Sequence, residues 1–205
     1  RVVTVTLPDG EVEIFRAKAE PECGEGFTAQ TRVQMVFEPI DDTHATLEQS
    51  TYGLLAIATT AGSGVYNMVD PEQPNEPADP RLYRLTTPEG LVYELDQNFG
   101  IRRVIEPGGQ SLTYSTTGVV HTSGVGIQFV RDPQGRIRDL VLPDGGIVSY
   151  VYTASGDLDS VRDPVDQTTR YTYGLARFPH YLTEIADPRG VRAVRNEYDD
   201  DGRLV

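Results

Sequence analysis

Leu182-Thr183-Glu184-Ile185-Ala186-Asp187-Pro188-Arg189-Gly190 sets the pattern from which the rest of the chain is read. Two apolar residues and a proline stand three apart, at Leu182, Ile185 and Pro188, and Gly190 follows two later. The same frame recurs at Leu158, Val161 and Pro164, at Ile137, Leu140 and Pro143, and at Ile101, Val104 and Pro107. It recurs again at Leu82, Leu85 and Pro88, and at Val2, Val5 and Pro8. Gly10, Gly90, Gly109, Gly145 and Gly190 stand two residues beyond the proline, and Asp166 takes that position in the remaining copy.

Apolar residues three apart suit one face of a helix, yet a proline in every copy argues against one, as do the intervening Gly, Thr and Tyr. The frame therefore predicts β-hairpins, with proline pre-setting one turn angle and glycine taking a positive one. After each proline turn comes a strand ending in an aromatic: Tyr93, Tyr114, Tyr150 with Tyr152, Tyr171 with Tyr173, and Tyr198. A second turn follows, as in Tyr198 to Gly202, and the next apolar pair begins at once. From Leu82 the copies start 19, 36, 21 and 24 residues apart, and the 36 predicts a degenerate unit around Val119 to Val125. A lone hairpin is marginal in water, so the units are expected to stack, with the tyrosines and apolar pairs on the buried side.

The first eighty residues carry the pattern loosely. Val2 to Thr6, the Pro8-Asp9-Gly10 turn and Val12 to Phe15 read as a hairpin, and Ala19 to Gly26 as a polar loop. Val33, Met35 and Phe37 alternate on one face of a strand, and a turn is expected over Pro39 to His44. Ala45 to Thr60 fits either a helix or two strands, and Thr51, Tyr52 and Gly53 favour the strands. Pro71, Pro74, Pro77 and Pro80 recur every third residue among acidic side chains, the period of a polyproline II helix. That stretch reads as an extended strap or linker, or as a docking ligand for a proline-recognition domain. The expected organisation is thus an N-terminal β segment over 1–69, a strap over 70–80 and a repeat sheet over 81–205.

Composition narrows the function. A net charge of -13 disfavours nucleic acid, which needs clustered Lys and Arg, and Lys18 is the only lysine. Cys23 stands alone, so neither an internal disulfide nor a CxxC zinc site is possible. No apolar run of eighteen residues is present to span a bilayer. The chain lacks an initiator methionine and stops as a new unit begins, which suggests a piece of a longer protein.

Tyr198-Asp199-Asp200-Asp201-Gly202-Arg203-Leu204 resembles the motif of the Rhs or YD-repeat family, and so do Asp132-Pro133-Gln134-Gly135-Arg136, Asp163-Pro164 and Asp187-Pro188-Arg189-Gly190. The resemblance covers Arg81 to Val205 well and the earlier residues through Leu7 to Gly10. It implies tandem hairpins wound into a curved antiparallel sheet, part of a larger β-shell. In bacterial toxins of this family the shell encloses a C-terminal toxic segment of the same polypeptide, and related repeats of wall-associated proteins and teneurins sit at the cell surface. The implied partners are the rest of the polypeptide, its enclosed cargo, and secretion or toxin-complex subunits; the implied location is secreted or on the bacterial surface. Asp166 and Tyr173-Gly174-Leu175 depart from the family pattern. Asp187-Pro188-Arg189-Gly190 shares only a common fragment of the family's self-cleaving motif, so no cleavage is assigned to Asp187.

Chemistry-bearing motifs are sparse. His44, His121 and His180 have no second histidine at metal-ligand spacing, and Gly62-Ser63-Gly64 lacks the G-x-S-x-G offset of a nucleophile elbow. Asp199 to Gly202 has ingredients of a calcium loop, but not the alternation or the distant Glu of an EF-hand. The expected chain is all-β and structural, with neither catalytic, cofactor nor metal residues, and a surface adhesion module is the alternative. An isolated segment of this kind is expected to expose open sheet edges and to self-associate.

Overall fold

The computed structural model describes residues 1–21, 31–59 and 66–205; Cys23 and Gly62-Ser63-Gly64 lie outside them. Every regular element is a β-strand, and every pairing between named strands is antiparallel. The chain is all-β, as its turn-rich sequence requires, and folds as two compact units, Arg1–Tyr114 and Ser115–Val205.

The first unit holds β1 (Val2–Thr6), β2 (Val12–Glu20), β3 (Arg32–Ile40), β4 (Thr46–Gln49), β5 (Leu55–Thr59) and β6 (Tyr66–Asp70). It continues with β7 (Gln73–Pro77), β8 (Leu82–Thr86), β9 (Val92–Asp96), β10 (Gly100–Ile105) and β11 (Ser111–Ser115), the last ending at the boundary. One sheet runs β1-β2-β3-β5-β6-β7; β4, β8, β9, β10 and β11 follow one another in a second. The two strands expected within Ala45 to Thr60 are β4 and β5. Two sequence expectations shift. Strand β2 extends through Glu20 and β3 through Ile40, because each residue from Ile14 to Glu20 finds a partner across the pair. The 70–80 stretch contains β7, whose Gln73 and Pro77 pair with β6, so its extended backbone is held in a sheet edge.

This unit has a core. Phe15 and Leu7 from the first sheet pack with Ala45, Leu47, Tyr83 and Leu85 around the second, and Phe37 meets Tyr83 edge-on at 5.8 Å. Val33, Met35, Leu55, Ile57 and Ala78 form a second cluster. Side chains such as Phe15 and Leu85, wholly excluded from water, contribute about 1.5–3 kcal/mol each.

The second unit holds β12 (Gly118–His121), β13 (Gly126–Arg131), β14 (Ile137–Val141), β15 (Ile147–Tyr152), β16 (Leu158–Arg162), β17 (Thr168–Thr172), β18 (Glu184–Ala186) and β19 (Arg192–Arg195). Each pairs with its neighbour in sequence, and β12 with β13 is the degenerate unit expected near Val119 to Val125. Directly opposed residues share a face, so the register separates two surfaces. Phe129, Leu140 and Val148 form one row, Tyr150, Val161 and Thr169 another, and Tyr171, Ile185 and Val194 a third. The opposite face is mixed: Val130, Asp139, Ser149 and Arg162 form one row, Val151, Ser160, Arg170, Ala186 and Arg192 another, and Gln128, Val141 and Ile147 a third, with Ile147 and Val151 exposed.

The tyrosines and apolar pairs were expected to be buried, and here the structure differs. Among the described residues every fully buried hydrophobic lies between Leu7 and Leu85. Tyr150, Tyr152, Tyr171, Tyr173 and Tyr198 are only half-buried, and Tyr114 is exposed. The physical reason is thickness: within this unit the strands form one layer, so cross-strand neighbours cover the flanks of each side chain but not its outer end. Stability here rests on the ladders and on cross-strand pairs, each contributing about 0.2–1 kcal/mol.

Candidate functional site

The feature with functional content is the repeat itself, built from a turn, a bulge and a tyrosine clasp. Among the described residues ten turns share one hydrogen-bond pattern, opening at Leu7, Thr87, Glu106, His121, Asp132, Leu142, Thr153, Asp163, Asp187 and Asp199. In each, the first N–H donates to the carbonyl four residues on, and the fourth N–H donates back to the first carbonyl. This is a type I turn closed by a residue in the left-handed region, the three-residue hairpin loop with a glycine bulge. That fourth residue has φ between 63° and 95°: glycine in nine turns and Asp166, at 63°, in the tenth. Pro8, Pro88, Pro107, Pro133, Pro143, Pro164 and Pro188 occupy the second position, where their fixed φ fits.

The aspartate that opens several turns has its own reason. Oδ1 of Asp132, Asp163, Asp187 and Asp199 accepts two backbone N–H groups, from residues two and four positions on, at 2.8–3.0 Å. His121 and Thr153 supply Nδ1 and Oγ1 for one such N–H each in their turns. The Asp-Pro-x-Gly signature is therefore a complete description of the turn: acceptor, fixed φ, positive φ. The Asp199 to Gly202 cluster is one of these turns, and among the described residues no group of three or more His, Cys, Asp or Glu is placed to hold a metal.

The three-residue apolar spacing comes from a β-bulge. Ile137 opposes Arg131 while Asp139 opposes Val130, which leaves Arg138 as the extra residue. Asp159 is extra in β16 and Arg102 in β10, by the same two-against-one count. Without the extra residue Ile137 and Leu140 point to opposite faces; with it they share one. The same holds for Leu158 with Val161 and for Ile101 with Val104. Leu82 and Leu85 keep the spacing without a bulge and lie on opposite faces, as do Val2 and Val5. Their role in the repeat is thus different: Leu85 is core, Leu82 half-buried.

The clasp links successive turns. Tyr152 Oη donates to the Ile137 carbonyl at 2.8 Å, and Tyr198 Oη donates to the Leu182 carbonyl at 2.9 Å. The Arg136 guanidinium lies 4.1 Å over the Tyr152 ring and pairs with Asp132 Oδ2 at 2.8 Å. Burial raises the Asp132 pKa, but the hydrogen bonds and charge of Arg136 outweigh it, and the net shift is downward. Arg189 and the Val191 N–H lower that of Asp187. Burial raises those of Tyr83, Tyr93 and Tyr173, which keeps these phenols neutral at any physiological pH.

The long interval between Leu158 and Leu182 is explained by the segment joining β17 to β18. Phe178 stacks on Tyr181 at 4.8 Å, and Tyr181 meets Tyr198 edge-on at 5.0 Å. A Cβ at Gly202 would lie 3.0 Å from Tyr181 Oη, so glycine serves packing there as well as the turn. Arg177 pairs with Asp200 at 2.8 Å. His180 Nδ1 stands 2.9 Å from Asp157 Oδ1, and this bond is the largest cause lowering the Asp157 pKa. One loop thereby ties the turn at 153–157 to the turn at 199–203. Sequence reading did not find these pairings, since Arg177, His180, Asp157 and Asp200 show no common spacing.

His44 is exposed, and His121 Nδ1 is engaged with Ser123 Oγ at 2.8 Å inside its turn. The structure brings His44, His121 and His180 into three separate settings. No helix of the described residues is long and apolar enough to cross a membrane. Neither a family model nor a curated protein matches this chain.

Proposed function

We propose that this chain is a wall segment of a large Rhs-type protein, whose stacked hairpins form part of a β-shell around a C-terminal toxin or effector of the same polypeptide. The observation that carries this reading is the asymmetry of the second unit, whose tyrosines and Phe129 share one face while its charged side chains, such as Asp139, Arg162 and Arg170, stand on the other among a few valines. A wall needs that asymmetry: one surface meets cargo and the other meets solvent. Pairing in strict sequence order also lets such a sheet grow by adding hairpins, each fixed by the same turn, bulge and clasp. Its work is mechanical rather than catalytic, and the setting is secreted or on a bacterial surface, where the whole protein meets its delivery partners.

A surface adhesion module is the second reading, supported by the half-exposed tyrosines, which suit contact with a protein or glycan. The intact mass of the native protein, purified from its source and measured under denaturing conditions, separates the two. A chain far heavier than 22.6 kDa, or one copurifying with a tightly held C-terminal fragment, is the expected result. A mature protein of this mass alone refutes the wall and leaves adhesion.

A further inference from the structure

We propose that the β12–β13 hairpin is an acid-released element, held closed by an uncharged His121 imidazole and loosened when that ring takes up a proton. In the turn that joins the two strands, His121 holds the place that Asp132, Asp163, Asp187 and Asp199 hold in theirs. Each of those carboxylates accepts the N–H two residues on. Here the acceptor is His121 Nδ1, 3.1 Å from the Ser123 backbone nitrogen. A ring nitrogen accepts only while it carries no hydrogen, so the hydrogen of the neutral ring belongs on Nε2.

Protonation reverses that role. Both nitrogens of an imidazolium are donors, which sets Nδ1–H against the Ser123 N–H. Ser123 Oγ, 2.8 Å from Nδ1, can change from donor to acceptor and keep its own contact, but the backbone N–H loses its partner. Imidazole is the side chain whose charge ordinarily changes between about pH 5 and 8, a range in which carboxylates ordinarily stay ionised. The hairpin is therefore intact above that range and loosens as pH falls through it. Little else holds it closed. Of its three register pairs only Val119 with Ile127 brings two side chains together, because Gly118 and Gly126 occupy the others. Val120 and Val125 are exposed. A hairpin with so few side-chain contacts is marginal, so one turn bond bears on how often it opens.

Neighbouring charges leave this sign unchanged. From Gly118 to Val130 His121 is the only titratable residue, and Arg131, at the far end of β13, is engaged with the Thr116 and Gly135 carbonyls. On β14, which packs against β13, Arg138 pairs with Asp139 near that far end too. The next turn at the His121 end carries Asp144, whose Oδ1 takes the Gly146 N–H. Glu106 and Tyr114 belong to the first unit. His180 responds in the opposite sense, since a protonated ring beside the Asp157 carboxylate gains an ion pair and acid tightens that tie.

The test is amide hydrogen exchange on the full 205-residue chain between about pH 8 and pH 5, each rate referred to the intrinsic rate at the same pH. Protection of the Ser123 and Gly124 N–H groups is expected to fall about twofold to tenfold across that range, the worth of one net hydrogen bond. Gly135, which closes the turn opened by Asp132, should hold its protection. His121→Asp and His121→Asn supply an acceptor that takes up no proton in this range, and both should give flat profiles at Ser123 and Gly124. At about pH 8 the ring nitrogen chemical shifts of His121 should place its hydrogen on Nε2. A hydrogen on Nδ1 under those conditions, a flat profile in the parent, or an equal fall in the two variants overturns the proposal. An equal fall at Gly135 overturns it too, since acid then acts on the sheet as a whole.

Discussion

Gly108 and Gly109 are adjacent in one turn, and substituting each by alanine is predicted to change stability in opposite directions. Gly109 has φ 84°, whereas Gly108 lies outside the left-handed region. A Cβ built at either meets nothing within 4 Å, so no steric term enters. Alanine in the left-handed region costs about 1–2 kcal/mol. Replacing glycine restricts the unfolded chain equally at both sites, a gain of about 0.4–1 kcal/mol. Gly108→Ala is therefore stabilised by that gain, and Gly109→Ala is destabilised by about 1 kcal/mol net. The two variants differ by the left-handed cost alone, which corresponds to roughly 5–10 °C in Tm for a unit of this size. Calorimetry of the pair reads this gap directly. Equal Tm values, or a more stable Gly109→Ala, would falsify the turn assignment on which the repeat rests.

Tyr152→Phe keeps the ring under Arg136 but removes the bond to the Ile137 carbonyl, and should lose about 0.5–1.5 kcal/mol in urea unfolding; no loss would make the clasp incidental. Asp96, Asp132, Asp139, Asp157 and Asp187 all have pKa values lowered by folding. Their contribution is present above the ordinary aspartate value of about 4 and is lost as pH falls through the folded values, so stability should decline below pH about 4. Urea midpoints measured between pH 7 and pH 2 test this, and Asp187→Asn should show a shallower acid decline than the parent; a flat profile contradicts the assigned hydrogen bonds.

The all-β class and the turns were legible because turn chemistry is local. Pro188 and Gly190 meet a backbone requirement within five residues, and no tertiary contact is needed to read it. The spacing of Ile137 and Leu140 was equally visible, but its cause was not. An unpaired Arg138 exists only relative to the strand it opposes, so the bulge belongs to the pairing. The clasps of Tyr152 and Tyr198 reach carbonyls fifteen and sixteen residues back, and the ties from Arg177 and His180 span twenty-three. Local pattern carries no trace of such distances.

Burial was decided by tertiary structure alone. Leu85 and Leu140 hold the same place in the repeat, yet the other sheet covers Leu85 with Phe15 while Leu47 flanks it within its own sheet, and Leu140 sits in a single layer. The sequence by itself determined which residues turn and which alternate, because those are properties of a few consecutive dihedral angles. The tertiary structure decided which faces are covered and which edges stay open, because both depend on what the rest of the chain brings alongside.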